Sequence, residues 1–325
     1  MCLTRGKIGE TIGGEFSEIS VTQLPDLPGD RGRVTERAND PSHRTLARAL
    51  LGWLREDEAT RWLAGNEAAA TRNPLHRELA RRARTVVETR PAFTLPTDAV
   101  APLPAEIVHH IDLLRAHPES GNTIAQMGEP RLIDLGQVIG AQKQIVVGEA
   151  MDRVAGAAAA DLLGIARVTL PLPKREPISW NFDAQRNAFV LNSPNQNLRV
   201  VGHFNSTVGG ETPGVVFDSF GFALSYQRSY MQVASIGGRL LLRDGYHRAY
   251  GLLRAGIRHV PAFVREFSAW EEASLPAGLL PPEVCLGMRP PMLTDYLDDA
   301  VAIDRWIPRT SKLIVLQAIE LTVPA

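Results

Sequence analysis

The chain has 325 residues, 44% of them hydrophobic and 22% charged, with a formal net charge of −1. That is enough apolar material for a sizeable core, and it excludes a disordered or fibrous chain. The near-zero charge argues against a protein whose main task is to grip nucleic-acid backbone, and no apolar run approaches the ~18 residues of a membrane span.

Two cysteines, Cys2 and Cys285, are too few for a disulfide framework and lack metal-ligand spacing. The polar, Gly-rich stretch from Met1 to Glu18 has no apolar core of a signal peptide, so a cytoplasmic protein is expected. Residues 1–40 show no sustained period and read as a flexible arm, with a turn cluster at Pro25–Asp30. From Pro41 the pattern predicts a helix, with Ser42 as cap and Leu46, Leu50, Trp53 and Leu54 on one face. Asn73-Pro74 opens another, carrying Leu75, Leu79, Val86 and Val87. Its arginines (Arg72, Arg77, Arg81, Arg82, Arg84) are interspersed with Glu67, Glu78 and Glu88, the pattern of a solvated face with internal ion pairs. After a Pro-punctuated linker at 94–104, residues 105–116 read as a short helix, which makes 41–125 a helical N-terminal extension. His109 and Asp112 would share a face of that helix, near His110 and His117. Nothing supplies the remaining ligands, so no metal is assigned.

The core is expected over 126–267. Residues 131–138 read as a strand and turn, and 144–163 as a helix with an alanine-rich segment at Ala155–Ala160. Strand-like runs at 178–182, 188–191 and 198–204, with turn chemistry at Asn192–Asn195, predict a β-hairpin insertion over about 174–215. Val215–Phe217 and Phe222–Leu224 add one or two strands, and Tyr230–Ala234 leads into the next box. The Pro-rich segment 268–325 ends in Leu313–Ile319, a strand apolar enough to join the core sheet. The Ser206–Gly210 stretch hints at an anion nest but lacks the Lys and the following helix of a P-loop.

The most specific signal is Gly238–Arg265. Leu240–Leu242 forms a strand, Asp244-Gly245 a turn, and Ala249, Leu252, Leu253 and Ile257 a helix face. Gly256 marks the helix end and Val260–Val264 a second strand. His247 and Arg248 thus fall in a first helical turn, where unpaired amides and the helix dipole attract anions. Charge-assisted donors in that place suit a phosphate.

Asp244-Gly245-Tyr246-His247-Arg248, with Ala249, Gly256 and Val260-Pro261, resembles the DGxHR box of the ParB/sulfiredoxin-like superfamily. Leu132–Gln142 is similar to the strand-and-loop box that precedes it in that superfamily. The resemblance implies an α/β (α+β) fold, a small mixed sheet with flanking helices, and nucleotide phosphates held at the turn. Tyr246 stands where sulfiredoxins carry their catalytic Cys, which excludes sulfinic-acid repair by that route, and nothing after Arg265 reads as the helix-turn-helix of a partition protein.

The expected function is therefore nucleotide binding, with NTP hydrolysis or phosphoryl transfer at the turn. The expected ligand is ATP or CTP, as tri- or diphosphate, with Mg²⁺. In this reading Gly245 and the first-turn amides hold phosphate, His247 and Arg248 donate to it, and Asp244 caps the helix or helps hold Mg²⁺. Tyr246 stacks on a base or packs. Gln142 comes from the first box, and Asn197, Arg199 and Arg228 add contacts from the inserted hairpins and their exit. Asp134 and Glu149 are the nearest candidates for a general base. Two other classes stay open: a DNA-associated partition- or nuclease-like factor, which the near-neutral charge argues against, and a non-catalytic scaffold for a protein or small-molecule partner.

Overall fold

The computed structural model describes residues 43–65, 73–174, 177–185, 187–193, 195–209 and 216–317. The expected arm at 1–40, Arg72, Glu67 and the end of the expected C-terminal strand lie outside them. Eight α-helices and thirteen strands in several small sheets make this an α/β (α+β) protein among the described residues.

The first element, β1 (Arg44–Ala49), is a strand where the periodicity predicted a helix. Its partners lie far along the chain, and pairing on both sides, with Ala47, Arg48 and Ala49 buried, outweighs the local pattern. Helices α1 (Glu56–Ala64) and α2 (Pro74–Thr89) follow. Asn73 caps α2 as its sequence suggests, its Oδ1 accepting from the Leu75 N–H at 3.0 Å. Arg77 and Arg81 of α2 each pair with Glu56 of α1 at 3.3 Å, exposed ion pairs that join two helices where the sequence suggested pairs within one. Next come β2 (Val100–Ala101), α3 (Ala105–Ala116) and α4 (Gly121–Ile124).

The core opens with β3 (Glu129–Asp134). The single helix expected over 144–163 is instead β4 (Gln144–Val146), α5 (Val147–Arg153), a turn, and α6 (Leu162–Thr169). The alanines fall in the turn because Gly156 takes φ 89° and Asp161 starts a new helix, its carboxylate accepting from the Gly164 N–H at 2.8 Å. The insertion comprises β5 (Asn181–Asp183), β6 (Ala188–Ser193), β7 (Leu198–Gly209) and β8 (Val216–Tyr226), so it reaches past residue 215. Then follow β9 (Gln232–Ile236), β10 (Arg239–Asp244), α7 (Tyr246–Arg254) and β11 (His259–Phe267). The chain ends in α8 (Pro282–Cys285), β12 (Ile303–Pro308) and β13 (Lys312–Gln317).

The main sheet has the order β10-β9-β11-β3-β2, with only β9 and β11 parallel. Pro261 lies where β11 has β3 on one side and not yet β9 on the other, so its missing donor leaves no ladder bond unmade. Ile133, Leu135, Ile139, Leu242, Leu252 and Val260 are fully buried between this sheet and its helices. A second sheet, β12-β1-β4, combines segments from the expected extension, core and tail. The described residues accordingly form one compact unit. Strand β13 does not join the main sheet: it pairs antiparallel with β6 in a third sheet, β13-β6-β5, its residues alternately exposed. Strands β7 and β8 form a separate two-stranded ribbon.

Candidate functional site

The strand–turn–helix read from the sequence is present: β10 passes through Gly245, at φ 102°, into α7. Only glycine adopts that backbone cheaply, and a Cβ there would also press on Met231 at 3.3–3.4 Å. The segment Gln227–Met231, which joins the ribbon to β9, therefore passes directly over the start of the helix.

Ser229 on that segment ties the turn together. Its hydroxyl lies 2.8 Å from both Asp244 carboxylate oxygens, to which it donates, and accepts from the Arg248 Nη2 at 2.7 Å. Arg248 is 5% exposed, and its Nη1 donates to the carbonyls of Ser229 (2.8 Å), Val168 (3.2 Å) and Thr169 (3.2 Å). Desolvation lowers its pKa to about 10, against the opposing pull of Asp244, so it stays cationic at neutral pH. These donors, expected to face a phosphate, here fasten the end of α6 to the ribbon exit.

His247 is similarly engaged. The Val146 N–H donates to its Nε2 at 3.1 Å, which fixes a neutral ring with its proton on Nδ1. Burial, with Arg153 and Arg248 nearby, lowers its pKa to about 4. Tyr246 is buried and its hydroxyl donates to the Leu242 carbonyl, so it packs within the fold. Burial pushes its phenol well above the ordinary value.

Beside this turn opens a cleft of about 1170 Å³. It gathers Gln142 from the loop after β3, Asn197 and Arg199 at the start of the ribbon, Arg228 at its exit, and Asp244 and Tyr246 from the box. Six candidates from separate stretches of the chain thus line one cleft. The sequence reading missed Lys143, Arg243 and Ser229, which line it too. Lys143 is held by Glu58 at 2.6 Å. Arg199 donates to the Leu198 carbonyl at 3.0 Å and to that of Gln196. Arg243 differs: among the described residues it makes no hydrogen bond or ion pair, its Nε is buried without a partner, and its guanidinium lies 5.3 Å from the Phe267 ring centroid. Desolvation, then Arg265, lowers its pKa. Arg243 adjoins the box, but a reading focused on the turn passes over the last strand residues.

A second cavity of about 700 Å³ adjoins the first through Asn197, Gln227, Arg228 and Ser229. Glu149 lines it with Arg153, Arg167, Arg248 and Arg309, and is paired with Arg153 at 3.2 Å. Asp134 lines neither space. Arg258 grips it with two bonds of 3.0 and 2.7 Å, and it accepts from the Gly136 N–H at 2.9 Å. Burial opposes its charge, but Arg258 and that amide hold its carboxyl below the usual value. Asp134 closes a turn and is not brought to the site. Among the described residues no group of three or more His, Cys, Asp or Glu side chains comes together. His110 is buried instead, its Nε2 2.8 Å from the Leu170 carbonyl oxygen.

Fold and site together define an α/β protein with a cleft, lined in part by Arg199, Arg228 and Arg243, beside a strand–glycine–helix turn. Comparison with protein-family models, curated proteins and solved structures finds no match.

Proposed function

We propose that this protein binds a phosphate-bearing ligand of the nucleotide class in the cleft beside the DGYHR turn. The observation that carries the reading is Arg243, a half-buried guanidinium without hydrogen-bond or ion partner among the described residues, which lines the same cleft as Arg199 and Arg228. A desolvated cation gains more from an incoming anion than a hydrated one, because its dehydration cost has already been met. Gln142, Asn197 and Asp244 add neutral and acidic partners suited to a sugar or to a Mg²⁺-bound phosphate. The resemblance of the turn to the ParB/sulfiredoxin-like box points the same way.

Binding is favoured over turnover. Arg248 and His247 are committed to main-chain partners, Asp134 to Arg258, and Glu149 faces the adjoining cavity. A thermal-shift panel with ATP, ADP, CTP and GTP, with and without Mg²⁺, tests the reading. Stabilisation by at least one nucleotide that is lost in Arg243→Gln is expected, whereas silence across the panel with folded protein overturns it.

A further inference from the structure

The third sheet presents an aromatic surface that neither the core nor the proposed phosphate site explains. Residues paired across neighbouring strands share a face, and Phe189 pairs with Phe182 on one side and Leu316 on the other. Trp180 and Leu191 fall on that same face by the alternation of side chains along a strand. Trp180 meets Phe189 edge-on at 5.4 Å between ring centroids, and Phe182 lies 5.0 Å from Phe189. Leu191 is buried beneath them, yet Trp180 is 60% exposed.

Trp180, Phe189, Leu191 and Leu316 of this face line a cavity of about 520 Å³ together with Leu224, Ser225, Tyr226 and Arg228. Ser225, Tyr226 and Arg228 also line the large cleft, so the two spaces meet along the last residues of the ribbon. The large cleft holds Arg199, Arg228 and Arg243, and the space continuous with it adds the aromatic pair Trp180 and Phe189 beside Lys174 and Glu119.

From this continuity we infer that the aromatic cavity seats the planar ring of the ligand, a nucleobase, while its phosphates lie toward Arg228 and Arg243. The inference rests on the nucleotide reading and extends it by assigning Trp180 as the base-stacking platform. Stacking on an aromatic side chain tolerates any base, so the site discriminates a nucleoside from a bare phosphate more sharply than one base from another.

Calorimetric titration of the full chain with ATP, with inorganic triphosphate and with adenosine, alongside tryptophan fluorescence, tests it. The expected result is ATP binding roughly tenfold or more tighter than inorganic triphosphate, on the scale of one base–aromatic stack, with quenching of fluorescence by ATP and adenosine. Trp180→Ala, at an exposed position, should weaken ATP to the level of inorganic triphosphate and leave inorganic triphosphate unchanged. Equal affinities for ATP and inorganic triphosphate in the wild type, with no effect of Trp180→Ala, overturn the base pocket and leave the phosphate site standing. Silence with inorganic triphosphate, while adenosine still quenches fluorescence in a Trp180-dependent way, supports the pocket and overturns the phosphate site instead.

Discussion

Replacing Arg248 with alanine tests whether the DGYHR turn acts as an internal clamp. The side chain is buried and makes four hydrogen bonds, three of them to main-chain carbonyls. Alanine would leave those carbonyls and the Ser229 hydroxyl, which itself donates to Asp244, without this donor. Hydrogen bonds to a charged group contribute about 1.5–3 kcal/mol each. The bonds share one guanidinium and are not additive, so a total loss of about 3 kcal/mol is expected. A loss of that size should lower the unfolding midpoint by on the order of 10 °C. Equilibrium urea denaturation, followed by circular dichroism at pH 7, reads it directly. A variant as stable as wild type that had lost nucleotide affinity would refute the clamp and restore Arg248 to the ligand.

His247 should make stability depend on pH. Its folded pKa, about 4, lies below the ordinary value of 6.5, so folding favours the neutral ring. That contribution is complete above pH 6.5 and is lost as pH falls toward 4; the difference of about 2.5 units corresponds to about 3 kcal/mol. Urea unfolding at pH 7 and pH 4.5 should show a smaller loss in His247→Gln than in wild type. Gly245→Ala should destabilise by about 1–3 kcal/mol, because φ 102° strains any L side chain and the new Cβ presses on Met231; a midpoint equal to wild type would contradict that backbone. Asp134→Asn should lower stability and leave nucleotide affinity intact, since the carboxylate serves Arg258 and the Gly136 amide. Loss of affinity in a well-folded Asp134→Asn would place this carboxylate at the site after all.

What the sequence made legible is mostly local. The strand, turn, helix and second strand of the DGYHR box lie where the pattern put them, because leucine runs, an obligatory glycine and Gly256 at φ 77° specify them within 30 residues. Asn73-Pro74 likewise opens a helix through its own side chain. Strand β1 was not legible, since Leu46, Leu50 and Leu54 fit a helical face while its partners β4 and β12 lie in distant parts of the chain. The same holds for β13, whose apolar run suits a central strand although its partner is an inserted hairpin. At the site, Gln142, Asn197, Arg199, Arg228 and Asp244 do converge on one cleft. The fate of Arg248 and His247 could not be read, because their acceptor and donor are main-chain groups that folding alone brings near. Arg243 was passed over because the absence of a partner leaves no mark in a sequence.

The central claim, that the cleft beside the turn is a phosphate site, is tested most directly by titrating ATP and CTP into wild type and Arg243→Gln at low and high salt. The account predicts binding that weakens with salt and falls at least tenfold in Arg243→Gln, with the fold of the variant unchanged. Affinity indifferent to both salt and Arg243 would contradict it.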